Sequence, residues 1–300
     1  MRINEDYLYS DCRALDEKFG SALDNPEIFT PEVIDVINDV VRTVDDDAFD
    51  DWEPMMLFGG ECLSKVYKIE ETSWTSAIQF VAFAGPHPFS EQSKARGMCE
   101  FVEFNDDGKV EPSILLFNTA TTSGDEYFEI IIHELKHAYY KFRHPKDKNL
   151  KMKYDLLNKP MFIYGENLLN MSPEEVIEKY KTNRDWTSGC IIRNLVYICS
   201  KTELTAYAET VNMEIARFAR EGKSIDELKR DSKYVAHFLL LAKMFRQIDT
   251  DVKSNPEFLK TLDEMCKKWY DKSFKYIWET SRKSLNKQLA NIRKSIGMYY

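Results

Sequence analysis

No two of the six cysteines form a C-x-x-C pair. Cys12, Cys62, Cys99, Cys190, Cys199 and Cys266 are scattered along the chain, which excludes a cysteine-based zinc ribbon and gives no disulfide framework. At 300 residues there is ample material for a core without cross-links, so the thiols are expected to be reduced, as in a cytoplasm. No apolar run approaches the length of a membrane span; the longest candidate, Val235-Ala-His-Phe-Leu-Leu-Leu-Ala, reads as a buried helix. The polar start, Met1-Arg-Ile-Asn-Glu-Asp-Tyr, lacks the apolar stretch of a signal peptide, and a cytoplasmic location is the expectation. Internal repeats and low-complexity segments are also missing. Histidine is scarce, with five residues in all, so each can be weighed as a metal ligand or a core group.

Charge is present but unevenly placed. The net value is −9, yet from Lys267 to Tyr300 nine basic side chains face two acidic ones, a local +7 that leaves −16 on the rest. The main body should repel nucleic acid, whereas the tail can attract an acidic surface. The run Asp45-Asp-Asp-Ala-Phe-Asp-Asp-Trp-Glu53 fails as a calcium loop, because no glycine sits at the sharp turn and the alternation breaks at Phe49. A solvated acidic loop is expected there.

The first half mixes helix and strand signals. Helices are expected over 5–23 and 31–44, the second started by Thr30-Pro31 with Val33, Ile34, Ile37 and Val40 or Val41 on one face. Gly59-Gly60 breaks the chain before an element at 61–69, and Ala77–Phe83 reads as a strand. A loop from Gly85 to Gly97 carries His87, expected at the surface. Cys99–Phe104 and Ser113–Phe117 flank Asn105-Asp-Asp-Gly-Lys109 as strand, turn and strand; Pro112 places the second strand's start there, or the strand at an edge. Residues 143–171 are polar and irregular, as in a functional loop or insertion. Thereafter the pattern is helical: from Ser172, from about Ile191 to Arg220 with a stop at Gly222, from Ser224 to about Asp249, from Asn255 to about Trp269, and from about Ser273 to Ile296. The fold class is therefore α+β, with a small N-terminal lobe of mostly antiparallel sheet over 1–145 and a helical C-terminal lobe over 146–300.

The stretch that organises the chain is Glu129-Ile-Ile-Ile-His133-Glu134-Leu-Lys-His137-Ala-Tyr-Tyr. Ser123-Gly-Asp-Glu126 reads as a capping box, and Phe128, Ile130, Ile131, Ile132, Leu135 and Ala138 supply a helix with surface to bury. On that helix His133 and His137 stand one turn apart and face the same way. Two imidazoles at this spacing suit one zinc ion, with Glu134 as general base.

A catalytic zinc takes three protein ligands. The continuation H-x-x-G-x-x-H fails, since Tyr140 stands in place of glycine and His144 comes one residue late; His237, in an apolar helical stretch, reads as a hydrogen-bonded core group. A carboxylate from a later helix is the other solution. In Ser200-Lys-Thr-Glu203-Leu-Thr-Ala206-Tyr207-Ala208-Glu209, a small residue follows Glu203 one turn on and permits close approach; Glu209 and Glu214 share the predicted helix.

HELKH followed by E-L-T-A-Y-A resembles the gluzincin metallopeptidases, in which a helix bearing E-x-x-A supplies the third ligand. The resemblance implies a zincin-like fold, Glu203 as that ligand, and Glu209 or Glu214 as the fallback. It covers these two segments and the order sheet, active helix, helical lobe. Many gluzincins carry Asp four residues after the ligand Glu; this chain has Tyr207 there. Zinc-dependent hydrolysis of peptide bonds, as an endopeptidase, is then the expected activity. Zinc is held by His133, His137 and Glu203, Glu134 moves the proton, and a peptide pairs with a sheet edge at Ser113–Asn118. Tyr207, His237 and His144 are equal candidates for the oxyanion helper. The alternative is a zincin-like binding or assembly module, within a phage virion or a regulatory system, whose basic helix over 273–300 docks a protein partner. Phe274, Ile277, Trp278, Leu285, Leu289, Ile292 and Ile296 give that helix one apolar side, and closure of the chain's own core is its simpler use.

Overall fold

The computed structural model of the chain describes residues 25–45, 49–57, 60–84, 97–102, 109–117, 123–145, 171–198 and 200–300. The expected helix over 5–23, the loop with His87, most of the 105–109 turn and nearly all of 143–171 lie outside the described residues, as do Cys12 and Cys199. The chain is mixed α+β and divides into two compact units, Met1–Lys146 and Asp147–Tyr300.

In the first unit, α1 spans Pro31–Asp45. The Thr30 hydroxyl accepts the Val33 N–H, proline occupies the first position, and Val33, Ile34, Ile37 and Val40 are buried. Five strands follow: β1 Glu53–Leu57, β2 Gly60–Ile69, β3 Ile78–Ala84, β4 Gly97–Val102 and β5 Glu111–Phe117, in the spatial order β1-β2-β3-β5-β4. All pairings are antiparallel except β3 with β5, which run parallel. The unit closes with α2, Gly124–Arg143, which packs on α1, β4 and β5.

The strand order corrects one expectation. Of the edge expected at Ser113–Asn118, Ser113–Phe117 lies in β5, an interior strand between β3 and β4, and is not a free edge; Asn118 lies outside the described residues. Pro112 is tolerated because the parallel ladder with β3 begins only at Ser113, leaving the proline opposite Phe101 of β4 alone. Among the described residues the edges belong to β1 and β4. β3 and β5 are buried on both faces, which explains why their sequences read as near-continuous apolar runs. One face carries Val81, Phe83, Leu115 and Phe117, with the Phe83 and Phe117 rings stacked 5.3 Å apart.

The second unit is helical throughout its described residues: α3 Pro173–Thr182, α4 Arg184–Ile198, α5 Lys201–Arg220, α6 Ile225–Asp231, α7 Tyr234–Ser254, α8 Pro256–Tyr270 and α9 Phe274–Tyr299. Ser172 and Ser224 both form full capping boxes, with Glu175 and Glu227 respectively. α5 ends in a Schellman turn: Lys223 N–H reaches Phe218 C=O, Gly222 N–H reaches Ala219 C=O, and Gly222 takes φ +70°.

Two long helices expected from periodicity are each broken. The run over 191–220 divides before Ser200, whose hydroxyl accepts the Glu203 N–H and so starts a new helix. The run over 224–249 divides at Ser232-Lys233. There the buried Glu214 carboxylate, projecting from α5, accepts the N–H groups of Lys233, Tyr234 and Val235. It caps α7 from another helix, satisfying donors that the start of any helix leaves open. Burial pushes the Glu214 carboxyl above its ordinary range against the pull of these three donors.

The core of this unit gathers Ile191, Leu195, Ile215, Phe238, Leu241, Phe258, Leu262 and, from α9, Phe274, Ile277, Trp278, Leu285 and Ile292. Trp278 stacks on Phe245 at 3.8 Å, and its indole N–H donates to Asp249. The apolar side of α9 is thus spent inside its own unit. Gln288, also buried, donates from Nε2 to the Leu204 carbonyl at 2.9 Å, tying α9 to the first turn of α5.

His237 is buried on α7 as expected, but among the described residues its Nε2 has no hydrogen-bond partner, and burial pushes its pKa down to about 3. Between about 3 and the ordinary 6.5, the unfolded chain binds a proton there that the folded chain refuses. Stability should therefore fall as pH is lowered through that window, by on the order of 5 kcal/mol in full. His237→Phe should flatten this limb in urea titrations run at successive pH values. Parallel loss in both proteins would show that His237 is not held neutral.

Candidate metal centre

The first half of the centre is built on α2. The Ser123 hydroxyl accepts the Glu126 N–H at 3.3 Å, Asp125 and Glu126 occupy the first turn, and Lys141 and Arg143 the last, each charge favouring its end of the helix dipole. Ile131, Ile132, Leu135 and Ala138 are buried, so the helix is fixed by packing rather than by propensity. That fixes His133 and His137 on one face, 9% and 7% exposed, with Glu134 at 9% beside them. The two Nε2 atoms are 3.1 Å apart, and the rings meet edge to face.

Gly97, at the start of β4, sets how closely strand and helix approach. A Cβ there would collide with Ile130 Cγ2 and come within 3.3 Å of Glu134 Cγ and 3.4 Å of its Oε1. The glycine therefore places the β4 backbone directly beside the Glu134 side chain.

The second half lies in the first turn of α5. Ser200 fixes the start of the helix, and Glu203 follows at its third position, fully buried, with Ala206 equally buried one turn on. A carboxylate is favoured at a helix N-terminus by the exposed N–H dipoles.

Among the described residues, one group of three His, Cys, Asp or Glu side chains can hold a metal ion: His133, His137 and Glu203, all buried, their ligand atoms within 4.8 Å of one another. The donor set fits zinc. Two nitrogens on a tetrahedral ion at usual Zn–N lengths stand about 3.3 Å apart, against the 3.1 Å found between the imidazoles. Two imidazoles with a carboxylate also form a donor set that zinc takes in catalytic sites.

The other candidates fall elsewhere. Both oxygens of Glu214 are engaged in capping α7, and Glu209 is only partly buried and outside the group. His144 is exposed at the end of α2, its ring tilted against Tyr140. Tyr207 packs in the core of the second unit against Tyr234 and Phe238, each 5.7 Å away, which accounts for an aromatic residue one turn after Glu203. Gly97 and Gln288 are not among the candidate residues that motif and spacing mark. A glycine opening a strand was a signal for close backbone approach; nothing local marked Gln288 as the group that reaches Leu204.

Compared with protein-family models, curated proteins and solved structures, the chain matches none.

The centre is tested by its metal content, and its support by the C-terminal helix. Metal analysis of purified protein should give about one zinc per chain. His133→Ala, His137→Ala and Glu203→Ala should each lose it, while Glu209→Ala keeps it; retention by Glu203→Ala would remove that residue from the set. Removal of 273–300 should unfold the second unit cooperatively, since it strips core side chains worth about 2–5 kcal/mol apiece. Gln288→Leu should leave the chain folded but loosen zinc, read by competition with a chromophoric chelator.

Proposed function

We propose that the chain is a zinc-dependent metallopeptidase of zincin type, with the ligand set of the gluzincins, acting as an endopeptidase on peptide or protein substrates. The observation that supports this most is the buried group of His133, His137 and Glu203 with Glu134 on the same helix. A purely structural metal site has no use for a further carboxylate beside two of its ligands, whereas hydrolysis requires a base there.

Zinc, when bound, supplies Lewis acidity, polarising a carbonyl oxygen and lowering the pKa of a water. The remaining work belongs to the chain. His133 and His137, held in place by the packing of α2 with their Nε2 atoms adjacent, would hold the ion. Glu203, in the first turn of α5, would complete the set with its carboxylate. Glu134 accepts the proton of the attacking water on a carboxylate oxygen and returns it to the nitrogen of the departing amine. Among the described residues β4 is an edge strand whose backbone runs next to Glu134, and an extended substrate can add to it as a further strand.

Glu134→Gln separates an enzyme from a binding module. It keeps the size and removes the base while leaving the metal ligands untouched. Zinc content and thermal midpoint should stay near wild type, and peptide cleavage should fall by about 10²–10⁴. Unchanged cleavage would remove Glu134 from the mechanism. A zinc-loaded wild type that cuts nothing in a broad peptide library would favour a binding or assembly role.

A further inference from the structure

We propose that the solvent face of α9 is a docking surface for a short acidic segment of another protein. The helix has two unlike sides. Phe274, Ile277, Trp278, Leu285, Gln288 and Ile292 are buried within the unit. Lys275, Arg282, Lys283, Lys287, Arg293 and Lys294 are exposed, with Glu279 as the single acid among them. At 100° and 1.5 Å per residue, these cations fall within an arc of roughly 140° and a length of about 28 Å.

Their density on one face, with no ion pair, sets them apart. On the neighbouring helices several basic residues are matched one turn away, Lys181 by Glu178, Lys229 by Asp226, Lys253 by Asp249 and Lys267 by Asp263, and the unpaired ones, such as Lys243, Lys260 and Lys268, are scattered among acids rather than gathered in one stripe. Among the described residues none of the six α9 cations makes an ion pair; Arg282 comes nearest, acting on Asp249 through space behind Lys253. Lys283 and Lys287 even stand four apart on the helix, a like-charge spacing that costs a few tenths of a kcal/mol. A surface that only needs to be soluble mixes its signs, as the other helices here do.

The chemistry of the face selects its occupant. The apolar side is already buried, so α9 cannot insert into a lipid surface. Tyr276 is the one exposed aromatic on the face, which leaves no platform for stacked bases. A long polyanion would also run onto a chain that carries −16 outside the tail. A short acidic segment avoids that. Charges more than a Debye length away, about 8 Å in physiological salt, are largely screened, and about eight extended residues match the length of the stripe.

The test uses the full chain and a fluorescein-labelled octapeptide of alternating Glu and Asp, read by anisotropy. Binding is expected, weakening at least about tenfold between about 50 and 300 mM NaCl. The combined variant Lys283→Gln, Lys287→Gln, Arg293→Gln, Lys294→Gln should lose binding by about tenfold or more, whereas Lys181→Gln, Lys229→Gln, Lys243→Gln, Lys253→Gln should not. Thermal midpoints report folding, and the single reversal Lys287→Glu serves if the combined variant is unstable. Absence of peptide binding, or equal loss in the two combined variants, overturns the proposal. So does tight binding of duplex DNA or phosphatidylserine vesicles that the peptide does not displace, or salt-sensitive self-association that displaces the peptide. None of these readouts depends on zinc or cleavage.

Discussion

Burying a carboxylate beside two imidazoles is costly unless something compensates the charge and the lost hydration. Glu203, His133 and His137 are all withdrawn from solvent with their ligand atoms turned on one another. Much of the surrounding structure serves that arrangement. The sheet and α1 bury the apolar faces of α2, and Gly97 lets β4 lie against it. Ser200 opens α5 three residues ahead of Glu203, so that the acid sits where the helix's own dipole favours it. A divalent cation held by the three would offset that cost.

The parts of this that could be read from the sequence are those whose physics is local. The HExxH spacing, the serine caps at 123, 172 and 224, the Asn255-Pro256 start and the Gly222 stop each depend on residues within one turn, and each was legible. Glu203 stood out through a small neighbour and a resemblance. What stayed hidden depends on residues distant in the chain. Periodicity ran straight through 232–233 because the group that ends one helix and caps the next is Glu214, on a different helix. The strand order was equally invisible: two runs around a turn announce a pairing, but not that a third strand will lie on the far side of one of them. His237 was placed in the core correctly, while the lack of a partner for its Nε2 among the described residues follows only from what packs around it.

The C-terminal helix shows how one element serves two purposes without conflict. Its buried side completes the core of the second unit and, through Gln288, holds the Leu204 carbonyl one residue from Glu203. Its other side is nearly uniform in charge. Because the two sides diverge by the helical period, substitutions on the basic face leave the packing intact, and the position of Glu203 is insulated from whatever contacts the cations.

The insertion of β5 between β3 and β4 also has a consequence for how the chain is made. β1, β2 and β3 emerge as a simple antiparallel run, but β3 then waits with one edge open until β5 has been synthesised. That edge is Ile78-Gln-Phe-Val-Ala-Phe-Ala84, with no charge, no proline and high strand propensity, the composition that pairs readily with other chains. β4 and β5, antiparallel neighbours in sequence, can pair first, but the parallel contact with β3 spans a longer stretch of chain and forms later. The risk of misassembly is therefore concentrated in the interval between β3 and β5 leaving the ribosome, and shielding at that moment protects the nascent first unit.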